Sequence, residues 1–182
     1  MIGIFISSKL SGTYQSAIIA KETIGSDRIF IIDSKNATFG LALLVYEAIK
    51  LRDNGVDAEE IYNTLILLSS QIKFYAVVNT LKYLKMGGRL SSSAAILGGV
   101  LQIKPVVSVI DGEVKSVAKE RGQKAAFSWI LKQLKKDEPN MQYPFVLGHT
   151  NAHGTMEEFM AYITSSIEVK SPLIFEIGCV IG

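Results

Sequence analysis

The chain opens on Ile2-Gly3-Ile4-Phe5-Ile6, a continuous apolar run with no polar alternation. Such a run fits a short strand buried on both faces, as in a parallel sheet, and not a strand with one wet face. Small and polar residues follow from Ser7 to Thr13. A helical period then runs from about Gly12 to Ile24, with Ala17, Ile18 and Ala20 inward. The alternation repeats. Arg28 to Asp33 reads as a second buried strand. Thr38 or Asn36 is placed to cap a helix carrying Leu41, Leu44, Val45, Ala48 and Leu51 on one stripe, ended by Asn54-Gly55. Asp57 caps the next helix, with Ile61, Leu65 and Leu68 inward, and Phe74 to Val78 is a third strand. This rhythm predicts a layered α/β fold with a mainly parallel sheet.

The middle of the chain changes style. Leu81 to Met86 is a short helix stopped by Gly87-Gly88, and Ser91 to Leu101 has helical composition. Lys104 to Ile110 and Glu113 to Lys119 are strands around a two-residue turn, Asp111-Gly112. A helix from Gly122 to Lys136 follows. This is a smaller α+β domain containing a hairpin. Phe145 to Gly148 is another buried strand, Thr155 caps a helix to about Ile163, and Pro172 to Ile177 is the last strand. The domain reading is 1–79 for the first part of the α/β domain, 80–138 for the smaller domain, and 139–182 for the return. Strands near 2–6, 29–33, 74–78 and 145–148 are expected to share one mainly parallel sheet, with the hairpin outside it.

Composition narrows the function. A chain of 182 residues with 48% apolar and 20% charged residues buries a real core. Nineteen basic against seventeen acidic residues give +2, which is no nucleic-acid footprint. No apolar run approaches the roughly 18 residues of a membrane span. The first cation, Lys9, follows the opening apolar run, the reverse of a secretory signal, so a cytoplasmic location is expected. The one cysteine, Cys179, excludes a disulfide framework and reads as a small buried hydrophobe. No metal or cofactor is expected.

The chemistry concentrates in Ser7-Ser8-Lys9-Leu10-Ser11-Gly12-Thr13, where a buried strand becomes a helix. Ligands of open α/β sheets bind at the carboxyl ends of strands, and helix starts attract anions. Two readings stand: an anion site with hydroxyl donors, or Ser11 or Thr13 simply capping the helix. Asp33-Ser34 ends the neighbouring strand and can reach the same crevice or be a satisfied loop carboxylate. His149 and His153, with a serine and an aspartate, raise the alternative of a serine hydrolase of small esters acting through Ser8 or Ser11. Arg121 is a surface cation or a planar donor for phosphate or carboxylate.

The run Phe5 to Ala17 resembles the carboxylate-binding segment of the DegV family of bacterial fatty-acid-binding proteins. Ile32-Asp33-Ser34, the stretch Thr80 to Ser91 with Gly87-Gly88-Arg89, Leu101 to Val107 with Asp111-Gly112, Arg121 with Lys124-Ala125, and Ile177 to Gly182 agree in order. The resemblance covers the whole chain. It implies a carrier that binds a long-chain fatty acid between two domains and presents its carboxylate to a separate ATP-dependent fatty acid kinase subunit. It is not itself an enzyme on this reading. Ser8 and Ser7 are then the carboxylate-binding residues. Arg121 serves kinase docking or phosphate contact. Ile96, Leu97, Val100 and Ile103 form part of the tail pocket or ordinary core. The family's upstream Asp-Ser strand and Thr-Ser-x-Pro loop, and its downstream Thr-His-x-Gly-Pro-Gly-type loop, have no counterpart between Met1 and Gly182. The chain therefore reads as lacking N- and C-terminal parts, and a truncated, non-binding fragment is the remaining alternative. On that reading a sheet edge is left unpaired and the crevice beside Ser7-Ser8 is open.

Overall fold

The computed structural model describes residues 1–91, 102–169 and 172–178. These form two compact units. Unit 1 is Met1–Phe74 with Val109–Val114; unit 2 is Tyr75–Ser108 with Lys115–Gly182.

Unit 1 begins with β1 (Ile2–Phe5), α1 (Thr13–Ile24), β2 (Phe30–Asp33), α2 (Thr38–Asp53) and α3 (Ala58–Ser69). β1 and β2 pair in parallel with Ile2 opposite Phe30 and Phe5 opposite Asp33, as the two apolar runs predict. The core is Ile32, Leu44, Ile61 and Leu65, with Ile4, Ala48, Leu51 and Leu68 packed around it. Asp57 caps α3 by accepting the Glu59 and Glu60 amides at 2.9 and 3.1 Å. That leaves two fewer free N–H groups at the helix start. Gly25 ends α1 in the left-handed region, its amide on the Lys21 carbonyl.

Three local readings are corrected. Ala20 is exposed and α1 buries no residue fully. On α2 the inward face is Leu44, Glu47, Ala48 and Leu51, the i, i+3, i+4, i+7 set. Val45 lies off that face and is 37% exposed, while Glu47 is buried with Lys50 3.6 Å from its carboxylate. A charged member hid the face from a hydrophobicity pattern. Neither Asn36 nor Thr38 caps α2. Ala37 holds the cap position without a side-chain bond, and Asn36 is buried, bonding the Ser34 and Ser69 carbonyls.

Unit 2 contains β3 (Tyr75–Val77), α4 (Lys82–Met86), most of β4 (Ile103–Ile110) and of β5 (Glu113–Arg121), α5 (Gln123–Asp137), β6 (Val146–His149), α6 (His153–Thr164) and β7 (Leu173–Glu176). Val106, Ala126, Ile130, Leu134, Leu147 and Ile163 form its core. Phe127 and Phe159 bring α5 and α6 together with ring centroids 4.9 Å apart. Thr155 does not cap α6, because the helix already starts at His153.

The expectation of one parallel sheet is overturned. β3 pairs antiparallel with β4, Tyr75 opposite Ser108 and Val77 opposite Val106, in a three-stranded sheet ordered β3-β4-β5. β6 and β7 form a separate parallel pair. A short apolar run shows that a strand is buried but not which neighbour covers it. Pro105 to Ser108 is buried throughout, so β4 is the central strand and needs a partner on each side. β3 supplies one of them. The hairpin itself is as expected: Asp111 and Gly112 both have positive φ, +54° and +81°, which fits a type I′ turn.

Candidate functional site

The carboxyl ends of β1 and β2 lie side by side, because Phe5 and Asp33 are register partners. Backbone bonds carry the pairing into the loops. The Ser34 amide donates to the Phe5 carbonyl at 3.0 Å, and the Ser7 amide to the Asn36 carbonyl at 2.9 Å. The Ser7 carbonyl then accepts the Leu10 and Ser11 amides, curling residues 7–11 into a tight turn before α1. Val109–Val114, the hairpin tip, belongs to the same unit. Together these segments line a cleft of about 290 Å³ with Ser7, Ser8, Lys9, Asp33, Lys35, Asp111 and Gly112.

The two serines differ. Ser7 is fully buried, and its hydroxyl donates to the Gly112 carbonyl at 2.7 Å while accepting the Lys9 amide at 3.2 Å. Ser8 is exposed. Its hydroxyl donates to Asp33 Oδ2 at 2.5 Å, and its amide to Asp33 Oδ1 at 3.2 Å. Asp33 Oδ1 also accepts the Lys35 amide at 2.9 Å. Asp33 therefore lines the crevice and is at the same time a satisfied loop carboxylate, so both readings open to it hold. Ser11 accepts the Thr13 amide and hydroxyl at 3.3 and 3.1 Å, so it is engaged locally just ahead of the helix.

Lys35 was not singled out from the sequence, while Lys9, Tyr14 and Asp111 stood only inside longer runs with no role of their own. Lys35 enters the cleft from a left-handed backbone, φ +50°, which no apolar or charge pattern announces. Tyr14 stands in the first turn of α1. Its phenol is pushed above its ordinary value by burial first, then by the Asp33 charge, then by Tyr62. The adjacency of Tyr14 to the hydroxyl-rich run was the available signal.

The other expected site residues that are described do not line this cleft. Arg121 is the exposed last residue of β5, in unit 2. Ile103 opens β4, half-buried, also in unit 2, whereas Ile96, Leu97 and Val100 fall outside the described residues. His149 and His153 face each other edge-on in unit 2, with centroids 5.5 Å apart. His149 Nδ1 accepts the Ala152 amide, and His153 Nδ1 is 3.4 Å from Glu157. The hydroxyl proton of Ser8 points to a carboxylate and not to an imidazole. Among the described residues no group of three or more His, Cys, Asp or Glu is arranged to hold a metal ion, and no helix is long and apolar enough to cross a membrane.

The family model described as "Uncharacterised protein, DegV family" matches residues 1–182. The chain belongs to the DegV family. A DegV domain-containing protein of Caldanaerobacter subterraneus is 38% identical over 183 residues, which cover 100% of this chain and 65% of that protein. The chain spans 62% to 65% of the length of this relative and two clostridial ones. The crystal structure of a fatty acid binding DegV family protein from Streptococcus agalactiae is similar at TM-score 0.88 and 28% identity, covering 99% of this chain and 64% of that one. A stearic acid-binding protein from Eubacterium ventriosum is similar at TM-score 0.81 and 26% identity, covering 98% and 64%. The mixed α/β architecture is thus that of solved DegV proteins.

Proposed function

We propose that the cleft at the ends of β1 and β2 holds the head group of a long-chain fatty acid, and that the protein acts as a carrier. The observation behind this reading is the cleft itself: a hydroxyl, Ser8, and two ammonium groups, Lys9 and Lys35, at the carboxyl ends of parallel strands. Its support from outside is the fatty-acid binding of similar DegV structures. The tail supplies most of the affinity. Each buried CH₂ contributes about 0.8 kcal/mol, so a dozen contribute on the order of 10 kcal/mol before ordering costs. Ile96, Leu97, Val100 and Ile103 are proposed for part of that apolar surface.

The carrier then presents the carboxyl to a separate ATP-dependent kinase subunit, with Arg121 as the docking or phosphate-contacting residue. A guanidinium suits either task, because its planar fork pairs bidentately with phosphate or carboxylate. A serine hydrolase needs a base on its nucleophile. Ser8 gives its proton to the Asp33 carboxylate, a weaker base than the imidazole of a hydrolase triad, so a fluorophosphonate probe is expected to leave it unlabelled. The deciding experiment is mass spectrometry of a denaturing extract of the purified full-length protein. A stoichiometric long-chain fatty acid is expected, and its absence together with no binding of added stearic acid would overturn the reading.

A further inference from the structure

The Ser8 hydroxyl has one proton, and that proton points at Asp33. Asp33 also accepts the backbone amides of Ser8 and Lys35. The donors that an incoming carboxylate would seek at Ser8 are therefore already bonded to a carboxylate of the chain. With its proton on Asp33, Ser8 Oγ has only lone pairs left to offer in the cleft that both residues line. A group bonding to that oxygen must bring a proton of its own.

The charges argue the same way. Lys9 and Lys35 line the cleft, and so do Asp33 and Asp111, so the formal charges cancel. Tyr14 on α1 feels the Asp33 charge, and its phenol is neutral near pH 7. Among the described residues these five groups, from α1, both strand-end loops and the hairpin tip, surround the site, and Tyr62 of α3 also acts on Tyr14. An ionised head group would bring a second carboxylate beside Asp33, and the described lining of the cleft holds no surplus positive charge to offset it. Two carboxyl groups sharing a site retain one proton between them.

We propose that Asp33 is a positioning residue that makes this cleft take up a fatty acid together with one proton, held among the ligand carboxyl, Ser8 and Asp33. The proposal rests on the fatty-acid reading above. The proton comes from solvent, and no covalent bond changes.

The test is calorimetric titration of oleic acid into the full-length protein at about pH 8, repeated in buffers of different ionisation enthalpy. Monomeric oleic acid, kept below its aggregation concentration, is ionised there, since an isolated carboxyl titrates near pH 4 to 5. The slope against buffer enthalpy counts the protons taken up. The wild type is expected to take up close to one proton per oleic acid. Oleyl alcohol, which carries its own proton, is expected to bind with none. In Asp33→Asn the amide oxygen keeps both backbone bonds, while the NH₂ donates to Ser8 Oγ and frees the hydroxyl proton for the cleft. Uptake there is expected to fall to near zero with binding retained. Wild-type binding without proton uptake, or unchanged uptake in folded Asp33→Asn, overturns the role of Asp33 and leaves the fatty-acid reading standing. Should Asp33→Asn fail to fold, the wild-type count decides. No binding of oleic acid at all would sink the fatty-acid reading itself.

Discussion

The Ser7 hydroxyl, at the end of β1, donates to the Gly112 carbonyl 2.7 Å away and 105 positions later in the chain. Ser7 is fully buried, and its oxygen also accepts the Lys9 amide. Its donor is committed, and a ligand could use it only by displacing the Gly112 carbonyl. Ser7 thus braces the hairpin tip against the strand-end loop and builds one wall of the cleft. Ser8, exposed beside it, is the serine a head group meets first.

The brace sets up a stability prediction. A Cβ on Gly112 would lie 2.5 Å from Ser7 Oγ, and the residue has φ +81°. Gly112→Ala is expected to lose roughly 1–3 kcal/mol in urea unfolding. Ser7→Ala strands the Gly112 carbonyl and should lose a similar amount, about 1–3 kcal/mol. The double variant should lose less than the sum, because removing the hydroxyl relieves the overlap. Strict additivity would show that the two residues are not coupled.

Ser8→Ala removes an exposed hydrogen bond to Asp33 and should cost about 0.5–1.5 kcal/mol of stability. It should weaken fatty-acid binding by roughly 1–3 kcal/mol, the cost of losing a bond to a carboxyl group. Titration with stearic acid measures this. An unchanged dissociation constant would remove Ser8 from the head-group site.

Alkaline stability offers a third test, in unit 2. Tyr75 donates to Asp137 Oδ2 at 2.8 Å and meets Trp129 edge-on. Burial, then the Asp137 hydrogen bond and charge, push the phenol up to about 12. The folded state holds this proton more tightly than the unfolded one, whose phenol titrates near 10. The stabilisation is complete below about pH 10 and is lost as pH rises toward 12. Tyr75→Phe should therefore show a shallower fall in stability between about pH 10 and 11 than the wild type. Identical slopes would count against the Tyr75–Asp137 bond.

How much of this was legible follows from where the information sits. The strands, the Asp57 cap and the Asp111-Gly112 turn are local: each needs only its own residue types and spacing. Sheet partnership is not local. Phe74 to Val78 reads as buried in any sheet, and only the central place of β4, paired on both sides, shows that β3 joins the hairpin. The inward face of α2 was misread because Glu47 breaks its apolar signature. At the site, the hydroxyl run after β1 and Asp33 after β2 were visible as candidates. Their division of labour was not. Whether Ser7 or Ser8 is buried, and which one Asp33 bonds, depends on a hairpin tip a hundred residues away. Lys35 enters through one left-handed backbone angle, which leaves no trace in composition.

The last prediction separates lipid binding from phosphoryl transfer. Arg121 is the exposed end of β5 and is not among the residues that line the Ser8–Asp33 cleft. A guanidinium there remains suited to a phosphate or to an acidic patch on a kinase subunit. Arg121→Ala in the full-length protein is therefore expected to leave oleic acid affinity nearly unchanged. It should cut acyl-phosphate formation at least tenfold, about 1.4 kcal/mol in the barrier. Arg121→Lys should recover only part of that loss, because a point charge lacks the planar fork. Lipid binding and kinase-coupled phosphorylation, measured on the same preparations, give the answer. Equal losses in both assays would make Arg121 a structural or lipid-binding residue, and no loss in either would make it an ordinary surface cation.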